Sequence, residues 1–168
     1  MKKLLMPDLY YESVFFIDNK ELKRRGIEGI IIDIDNTLVP WDVKEANAKV
    51  INFIDDILQQ GFKVCIISNN TKKRVDKFNE MLSLPSIHRA GKPKLTPYLK
   101  AMKLLNTNKQ NTAVIGDQLF TDVLGGNRLG LFTILVAPMS SKEFIWTRFV
   151  RKLERIVLNN ILDQNCCR

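Results

Sequence analysis

Two acidic side chains directly follow a run of three isoleucines, and their spacing is the first indication of chemistry. The stretch from Gly29 to Leu38 reads Gly-Ile-Ile-Ile-Asp-Ile-Asp-Asn-Thr-Leu. Residues two apart on a strand share a face, so Asp33 and Asp35 can point the same way. Carboxylates at the end of a buried strand are costly unless they are paired, hydrogen-bonded or bound to a metal ion. Alone, the motif is also compatible with a solvated turn, since Asp, Asn and Thr are common turn formers.

Further polar residues follow strand-like segments later in the chain. In chain order they are Ser68 and Asn69 after 63–67, Lys92 after a short segment around Ile87, and Asp117 with Asp122 after 112–115. The carboxyl ends of parallel strands meet at one edge of an open sheet, so we expect these side chains to share a crevice with Asp33 and Asp35. Each group alone has a plain structural explanation: Ser68 can cap a helix, Lys92 can be a solvated surface lysine, and Asp117 can form a turn.

The elements that would position these residues alternate between strand and helix. This order predicts an α/β fold, a single-domain doubly wound parallel sheet of about five strands. Strands are expected at 29–34, 63–67, around 87, 112–115 and 131–136, and helices at 8–25 (at least in part), 42–60, 71–82, 96–105 and 122–129. Residues 1–168 then form one domain, with an N-terminal helical segment 1–28, a catalytic core 29–137 and a C-terminal basic amphipathic helix 142–162.

The composition is that of a globular chain suited to acidic partners. The formal net charge of +8 favours nucleic acid, an anionic membrane or phosphorylated small molecules, without choosing among them. Apolar runs fall short of the roughly 20 residues that a membrane span requires, and Pro7 breaks an N-terminus too short for a secretory signal. Cys65 lies in an apolar strand pattern, and Cys166 and Cys167 lie in a polar tail. Such cysteines fit a reducing compartment, so we expect a cytoplasmic protein.

In this order, and on these strand ends, the motifs resemble the four motifs of the haloacid dehalogenase superfamily of phosphotransferases. The matching stretches are Asp-Ile-Asp-Asn-Thr at 33–37, Ser68, Lys92-Pro93 and Gly-Asp-Gln-Leu-Phe-Thr-Asp at 116–122. The resemblance covers residues 29 to 137. It implies a phosphatase that depends on Mg²⁺ and forms an aspartyl-phosphate intermediate.

The resemblance also assigns roles to the acids. Asp33 would attack the phosphate as nucleophile. Asp35 would protonate the leaving group and then deprotonate the hydrolytic water, as general acid and base. Asp33 and Asp117 would bind Mg²⁺ through carboxylate oxygens, which a hard cation prefers. By the resemblance, the Asp35 backbone carbonyl is a further metal ligand, and Asp122 an orienting or water-mediated one.

The remaining matched residues would bind the substrate phosphate. Ser68 can donate its hydroxyl to a phosphate oxygen, and Asn69 follows it before a helix whose free amides suit an anion. Lys92 would supply a compact positive charge against the phosphoryl oxygens.

The spacing of the motifs bears on substrate size. The intervals from Asp35 to Ser68 and from Ser68 to Lys92 are too short for the cap domain that many superfamily members insert, so we expect an open site suited to a large substrate. Leu-Val-Pro-Trp at 38–41 and the stretch 116–128 are most similar to a capless branch, subfamily III, that includes phosphatidylglycerophosphate phosphatases. This similarity implies an anionic phospholipid as substrate.

The segment 142–162 is compatible with a lipid substrate. It has an apolar side and a basic side and carries Trp146, a pattern typical of an interfacial anchor at the inner face of a membrane. The alternative is a terminal helix packed on the sheet with a solvated basic face.

Two other functions stay open. One is a phosphatase that acts on a soluble nucleotide, sugar or protein phosphate. The other is a nucleic-acid or ribosome-associated binding module that keeps the fold, which we disfavour because every catalytic position is present.

Overall fold

The structure, a computed structural model, describes residues 2–140. The predicted helix 142–162 and the two terminal cysteines lie outside these residues. Of the helices within 2–140, none is both long and apolar enough to cross a membrane.

The centre of the fold is a parallel sheet. Within the described residues it has six strands, in the order β1-β6-β5-β2-β3-β4. They are β1 Leu9–Tyr11, β2 Gly29–Ile32, β3 Lys63–Ile67, β4 Ser86–Ile87, β5 Thr112–Gly116 and β6 Phe132–Val136. The chain runs from β2 outwards through β3 to β4, then returns to the other side of β2 for β5. This reversal opens a crevice at the carboxyl ends of β2 and β5, where open α/β sheets bind ligands.

Helices cover both faces of the sheet. They are α1 Asn19–Arg24, α2 Ala48–Gln59, α3 Lys72–Asn79, α4 Thr96–Leu105 and α5 Leu124–Leu129, with 3₁₀ turns at Lys2–Leu5 and Val14–Phe16 and a π-helical turn at Leu119–Val123. Side chains of Asp18, Asn47 and Thr71 accept hydrogen bonds from the first turns of α1, α2 and α3. These caps satisfy amides that helix starts leave unpaired.

The apolar runs of the strands form the core between the helices. All four residues of β2 are buried. Ile30 and Ile32 pack with α2 and α3 on one face, and Ile31 packs with α4 on the other. Burial on both faces explains why the strand reads as a continuous isoleucine run rather than an alternating pattern.

The predicted α/β sheet is confirmed, with one strand more than expected. The extra strand, β1, lies within the segment 8–25, of which only Asn19–Arg24 forms an α-helix. β1 extends the sheet by pairing with β6. Helix α2 begins at Ala48 rather than at residue 42, because Asn47 caps it. Helix α4 begins at Thr96 as expected, without a side-chain cap from the preceding Leu95.

Candidate active site

The first acidic pair lies where β2 ends. The Asp33 amide donates to the Ile115 carbonyl at 3.0 Å and so continues the ladder with β5. Asn36 adopts φ +63°, a left-handed conformation that asparagine tolerates better than most residues. This turn brings the hydroxyl of Thr37 within 3.2 Å of Asp117 Oδ1, to which it donates. The ends of β2 and β5 are thereby joined through side chains.

Three carboxylates converge at this edge. Asp33, Asp117 and Asp122 each place one carboxylate oxygen within 4.8 Å of the other two, and all three residues are buried. Buried carboxylates that approach one another repel unless cations compensate them. A set of hard oxygen donors without sulfur or nitrogen suits Mg²⁺, so the residues fit the predicted metal ion. The structure thus brings together three of the four predicted metal-binding residues through their side chains.

Lys92 supplies one positive charge to this cluster. Its ammonium group donates to Asp33 Oδ1 and to Asp122 Oδ1, both at 2.7 Å, and its side chain is only 3% exposed. The side chain of Asn69 fixes the Lys92 backbone: Asn69 Oδ1 accepts from Lys92 N at 2.7 Å, and Nδ2 donates to Lys92 O at 3.3 Å. Asn69 therefore positions the lysine; its contact with substrate stays a prediction.

The electrostatics of the cluster follow from its burial. Burial raises the pKa of Asp33 to about 8, a rise that the charge of Lys92 opposes and those of Asp122 and Asp117 reinforce. Burial alone would lower the pKa of Lys92, but the carboxylates of Asp122 and Asp33 outweigh it and raise that pKa above its usual range. The lysine therefore stays charged at neutral pH, whereas its charge does not cancel the effect of burial on the pKa of Asp33.

Asp122 is held by its own turn. Its Oδ2 accepts from the Thr121 hydroxyl at 3.2 Å and from the Gln118 amide at 3.3 Å. A Cβ atom at Gly116 would overlap the Asp122 carboxylate, so only glycine leaves room there. These contacts fix the Asp122 carboxylate beside the other acids, and its orienting or water-mediated role toward a metal ion stays a prediction.

Asp35 lies outside the three-carboxylate cluster. Its Oδ1 accepts from Arg74 Nη2 at 2.8 Å and its Oδ2 accepts from Asn70 Nδ2 at 3.2 Å. Asp35 is thus held by an arginine and an asparagine rather than by the acidic cluster, and its role as general acid and base stays a prediction. The structure tests no contact of the Asp35 backbone carbonyl with a metal ion, and that ligand stays a prediction.

A cavity of about 300 Å³ joins these groups. It is lined by Asp33, Asp35, Ser68, Asn69, Asn70, Lys92, Gln118 and Thr121. All the predicted catalytic and substrate-binding residues therefore face one space, and Asp117 and Asp122 complete the acidic cluster beside it. Ser68 Oγ accepts from the Asn70 amide at 3.1 Å, and a hydroxyl that accepts can still donate its own proton.

Several contacts of the site were not predicted from the sequence. Thr37 and Thr121 support acids, Asn70 and Arg74 hold Asp35, and Gln118 lines the cavity. Thr37 and Asn70 each stand next to or within a recognised motif, and this adjacency is the signal that could have identified them.

Comparisons with known proteins agree with this geometry. The HAD-hydrolase-like family model matches residues 89–142. The "Probable phosphatase YqeG" of Bacillus subtilis (strain 168) is 43% identical over 159 residues, which is 95% of this chain and 92% of that protein. The "Phosphatidylglycerophosphate phosphatase 1, chloroplastic/mitochondrial" of Arabidopsis thaliana is 26% identical over 178 residues, which is 96% of this chain and 49% of that protein.

A solved structure shares the fold. It is the 3-deoxy-D-manno-octulosonate 8-phosphate phosphatase from Moraxella catarrhalis, determined with a magnesium ion, a phosphate ion and a KDO molecule. The match has a TM-score of 0.53 and 18% sequence identity, and it covers 89% of this chain and 98% of that one.

Proposed function

Because the chain belongs to the haloacid dehalogenase (HAD) superfamily and is a phosphatase, we propose that it is a Mg²⁺-dependent phosphomonoesterase whose substrate is phosphatidylglycerophosphate. The observation that carries the mechanism is the convergence of Asp33, Asp117, Asp122 and Lys92 beside a cavity that Asp35 also lines. The product would be phosphatidylglycerol and inorganic phosphate.

The first half of the reaction transfers the phosphoryl group to the protein. A carboxylate oxygen of Asp33 forms a bond to phosphorus as the bond from phosphorus to the ester oxygen breaks. Asp35 gives its proton to that oxygen, which leaves as an alcohol. Ser68, which lines the same cavity, would donate its hydroxyl to a phosphoryl oxygen.

The second half returns the protein to its starting state. Asp35, now ionised, takes a proton from a water molecule that attacks phosphorus, and the bond from phosphorus to Asp33 breaks. Lys92 keeps the Asp33 carboxylate in place through its 2.7 Å contact, so the nucleophile is held for the next cycle.

Asp33, Asp117 and Asp122 would hold the metal ion, with the Asp35 carbonyl as a further predicted ligand. Bound Mg²⁺ would supply positive charge that offsets the negative charge of the phosphoryl oxygens. Thr37, which donates to Asp117 Oδ1 at 3.2 Å, would orient one ligand.

The lipid substrate is supported by a second, basic surface that adjoins the site. A groove of about 810 Å³ is lined by Thr71, Lys72, Lys73, Asp76, Lys77, Glu80 and Arg89. It borders the cavity because Thr71 follows Asn70 in the chain and the Arg89 amide donates to the Asn70 carbonyl at 2.9 Å. Two of its four cations pair with its two acids, Lys72 with Asp76 and Lys77 with Glu80. The charges of Lys73 and Arg89 remain, and they favour an anionic surface such as phospholipid headgroups. The name of the Arabidopsis relative points to the same class of substrate.

A soluble phosphate ester is the second candidate. The cavity of about 300 Å³ is large enough for a phosphate with a small alcohol, such as a sugar, and needs no lipid to fill it. The two candidates differ in whether the groove contributes to binding.

The test is an assay of phosphate release from phosphatidylglycerophosphate in mixed micelles, beside a panel of soluble nucleotide, sugar and protein phosphates. We expect Mg²⁺-dependent turnover with kcat/KM highest for the lipid. Asp33→Asn should abolish turnover while the fold is kept. Asp55→Asn, on the exposed face of α2, is the matched control and should be fully active. Faster turnover of a soluble ester than of the lipid would refute the lipid assignment, and an active Asp33→Asn would refute the nucleophile.

The predicted membrane contact through 142–162 is tested separately. The full chain should sediment with vesicles that contain phosphatidylglycerol, and salt should weaken this binding because surface charges are screened. Equal recovery with neutral phosphatidylcholine vesicles would contradict an electrostatic contact.

A further inference from the structure

Arg74, on the first turn of α3, holds the carboxylate of the general acid. We propose that Arg74 is the positioning residue for Asp35 and that phosphoryl transfer to Asp33 depends on it, an inference that rests on the proposed mechanism. None of the four matched motifs includes Arg74, which follows Lys72 and Lys73 in the sequence.

The guanidinium group of Arg74 is fixed from several sides. Nη2 donates to Asp35 Oδ1 at 2.8 Å, and Nη1 donates to the Lys44 carbonyl at 3.0 Å. The guanidinium carbon lies 5.6 Å from the centre of the Phe78 ring. Side-chain exposure is 11% for Arg74 and 21% for Asp35. A rigid fork that bonds two segments at once restricts Asp35 more than a flexible surface ion pair does.

The burial of Arg74 argues against a purely stabilising role. Its Nε is buried and has no hydrogen-bond partner among the described residues. A buried donor without a partner costs about 1–3 kcal/mol. An arginine placed for stability alone would gain by moving outwards, whereas one that must reach Asp35 has to accept this cost.

The contacts distinguish the two oxygens of Asp35. Oδ1 faces Arg74, while Oδ2 faces Asn70, which lines the cavity. We therefore assign the proton transfer to Oδ2. As Asp33 bonds to phosphorus, the ester bond breaks and its electron pair stays on the leaving oxygen, which takes the proton from Oδ2. Loss of Arg74 would let the carboxyl rotate and move this proton away from the leaving oxygen.

Leaving-group dependence separates positioning from folding. An alkoxide needs a proton to leave, whereas 4-nitrophenolate does not, so a misplaced Asp35 affects the two esters differently. We would measure kcat/KM, which reports the steps up to the phosphorylation of Asp33, for 4-nitrophenyl phosphate and for an alkyl phosphate (phosphatidylglycerophosphate in mixed micelles, or glycerol 3-phosphate). Arg74→Ala should lose about 100-fold or more on the alkyl ester and less than about tenfold on the aryl ester.

Three further variants make the result decisive. Asp35→Asn gives the full difference between the losses of kcat/KM on the alkyl ester and on the aryl ester, which we call the split. Arg74→Lys keeps the charge but cannot bond both acceptors from one planar group. Its kcat/KM should fall about tenfold more on the alkyl ester than on the aryl ester. This variant can be measured even if Arg74→Ala does not fold. Arg25→Ala is the matched control. Arg25 also has an ion pair, to Glu21 at 2.7 Å, and its guanidinium carbon lies 4.9 Å from the centre of the Phe132 ring. It stands at the C-terminal end of α1 rather than on α3. It should change neither ester.

The outcomes are distinguishable. If the Arg74 variants lose kcat/KM equally on both esters, Arg74 has a structural role only. If their kcat/KM is unchanged while Asp35→Asn shows the split, Arg74 has no role in the reaction. Either result overturns the inference and leaves the proposed function standing. Absence of a split in Asp35→Asn would overturn the general-acid assignment and the inference together. Absence of Mg²⁺-dependent turnover in the unaltered protein would overturn the proposed function itself.

Discussion

Replacement of Lys92 by methionine tests whether one ammonium group holds the acidic cluster together. Lys92 Nζ lies 2.7 Å from Asp33 Oδ1 and 2.7 Å from Asp122 Oδ1, and the three side chains are 3%, 7% and 2% exposed. Methionine keeps the unbranched stem and removes the charge. Loss of one partner from a buried ion pair leaves an uncompensated charge, which costs about 3–5 kcal/mol.

This cost is large for a domain of this size. Total stability is typically about 5–15 kcal/mol, and each 1 kcal/mol shifts the melting temperature by about 2–4 °C, so Lys92→Met should lower Tm by roughly 6–20 °C. The loss of stability in Lys92→Met should increase with pH. Burial already raises the pKa of Asp33 to about 8, and removal of the lysine charge, which opposes that rise, would raise it further. At low pH a proton on Asp33 can therefore remove the charge that Lys92 no longer compensates, but at high pH it cannot.

The assay is thermal unfolding in buffer with EDTA, at several pH values, for Lys92→Met, Asp122→Asn and the double variant. Removal of Asp122 as well should cost less than the sum of the single losses, because the two groups interact directly. Lys63→Met is the control: the Lys63 side chain is exposed and donates to the Asn106 carbonyl at 3.4 Å, so its replacement should cost at most about 0.5 kcal/mol. Equal melting temperatures for Lys92→Met and Lys63→Met would refute the reasoning.

Three further predictions concern the buried residues Gly116, Thr37 and Cys65. Gly116→Ala would force a Cβ into the Asp122 carboxylate, so we expect a loss of about 1–3 kcal/mol in denaturant unfolding, and a stability equal to that of the unaltered protein would contradict it. Thr37→Val removes the donor to Asp117 Oδ1 and should weaken Mg²⁺ binding by about 10–100-fold in calorimetry with little change in Tm; unchanged affinity would contradict the orienting role. Burial raises the pKa of Cys65 to about 12, so its thiolate is scarce at neutral pH. With both C-terminal cysteines replaced by serine, mass spectrometry should show alkylation by iodoacetamide only after unfolding in urea.

The strand ends could be predicted because each is an apolar run closed by a polar residue. The predicted strand 63–67 coincides with β3, and 112–115 ends one residue before β5 does. β1 could not be predicted in this way. It has only three residues and one exposed face, since Tyr10 is 57% exposed, so its pattern is too short to outweigh the helical spacing around it. Pairing with β6, about 125 residues away in the chain, forms it, and such pairing is invisible in a local window.

The site was predicted in its composition but not in its contacts. Lys92 was expected to meet the phosphate, and its ion pairs with two acids depend on distances that only the folded chain sets. Arg74 stands after Lys72 and Lys73, and composition cannot choose which of the three turns inwards. The buried Phe78 lies four residues further on and so shares a helix face with Arg74, which is the one local signal for its direction.

The charge of the site limits what can bind there. The cluster combines three carboxylates with one ammonium group, which leaves two negative charges when all are ionised. A phosphate dianion near such a cluster meets repulsion that the neutral donors of Ser68 and Asn69 cannot offset. A divalent cation removes it, so phosphate and Mg²⁺ should each tighten the binding of the other by the same factor. Titration of inorganic phosphate with and without Mg²⁺ measures that factor. Equal affinities would mean that the anion binds away from the cluster, for example in the basic groove, and that Asp33 does not face it.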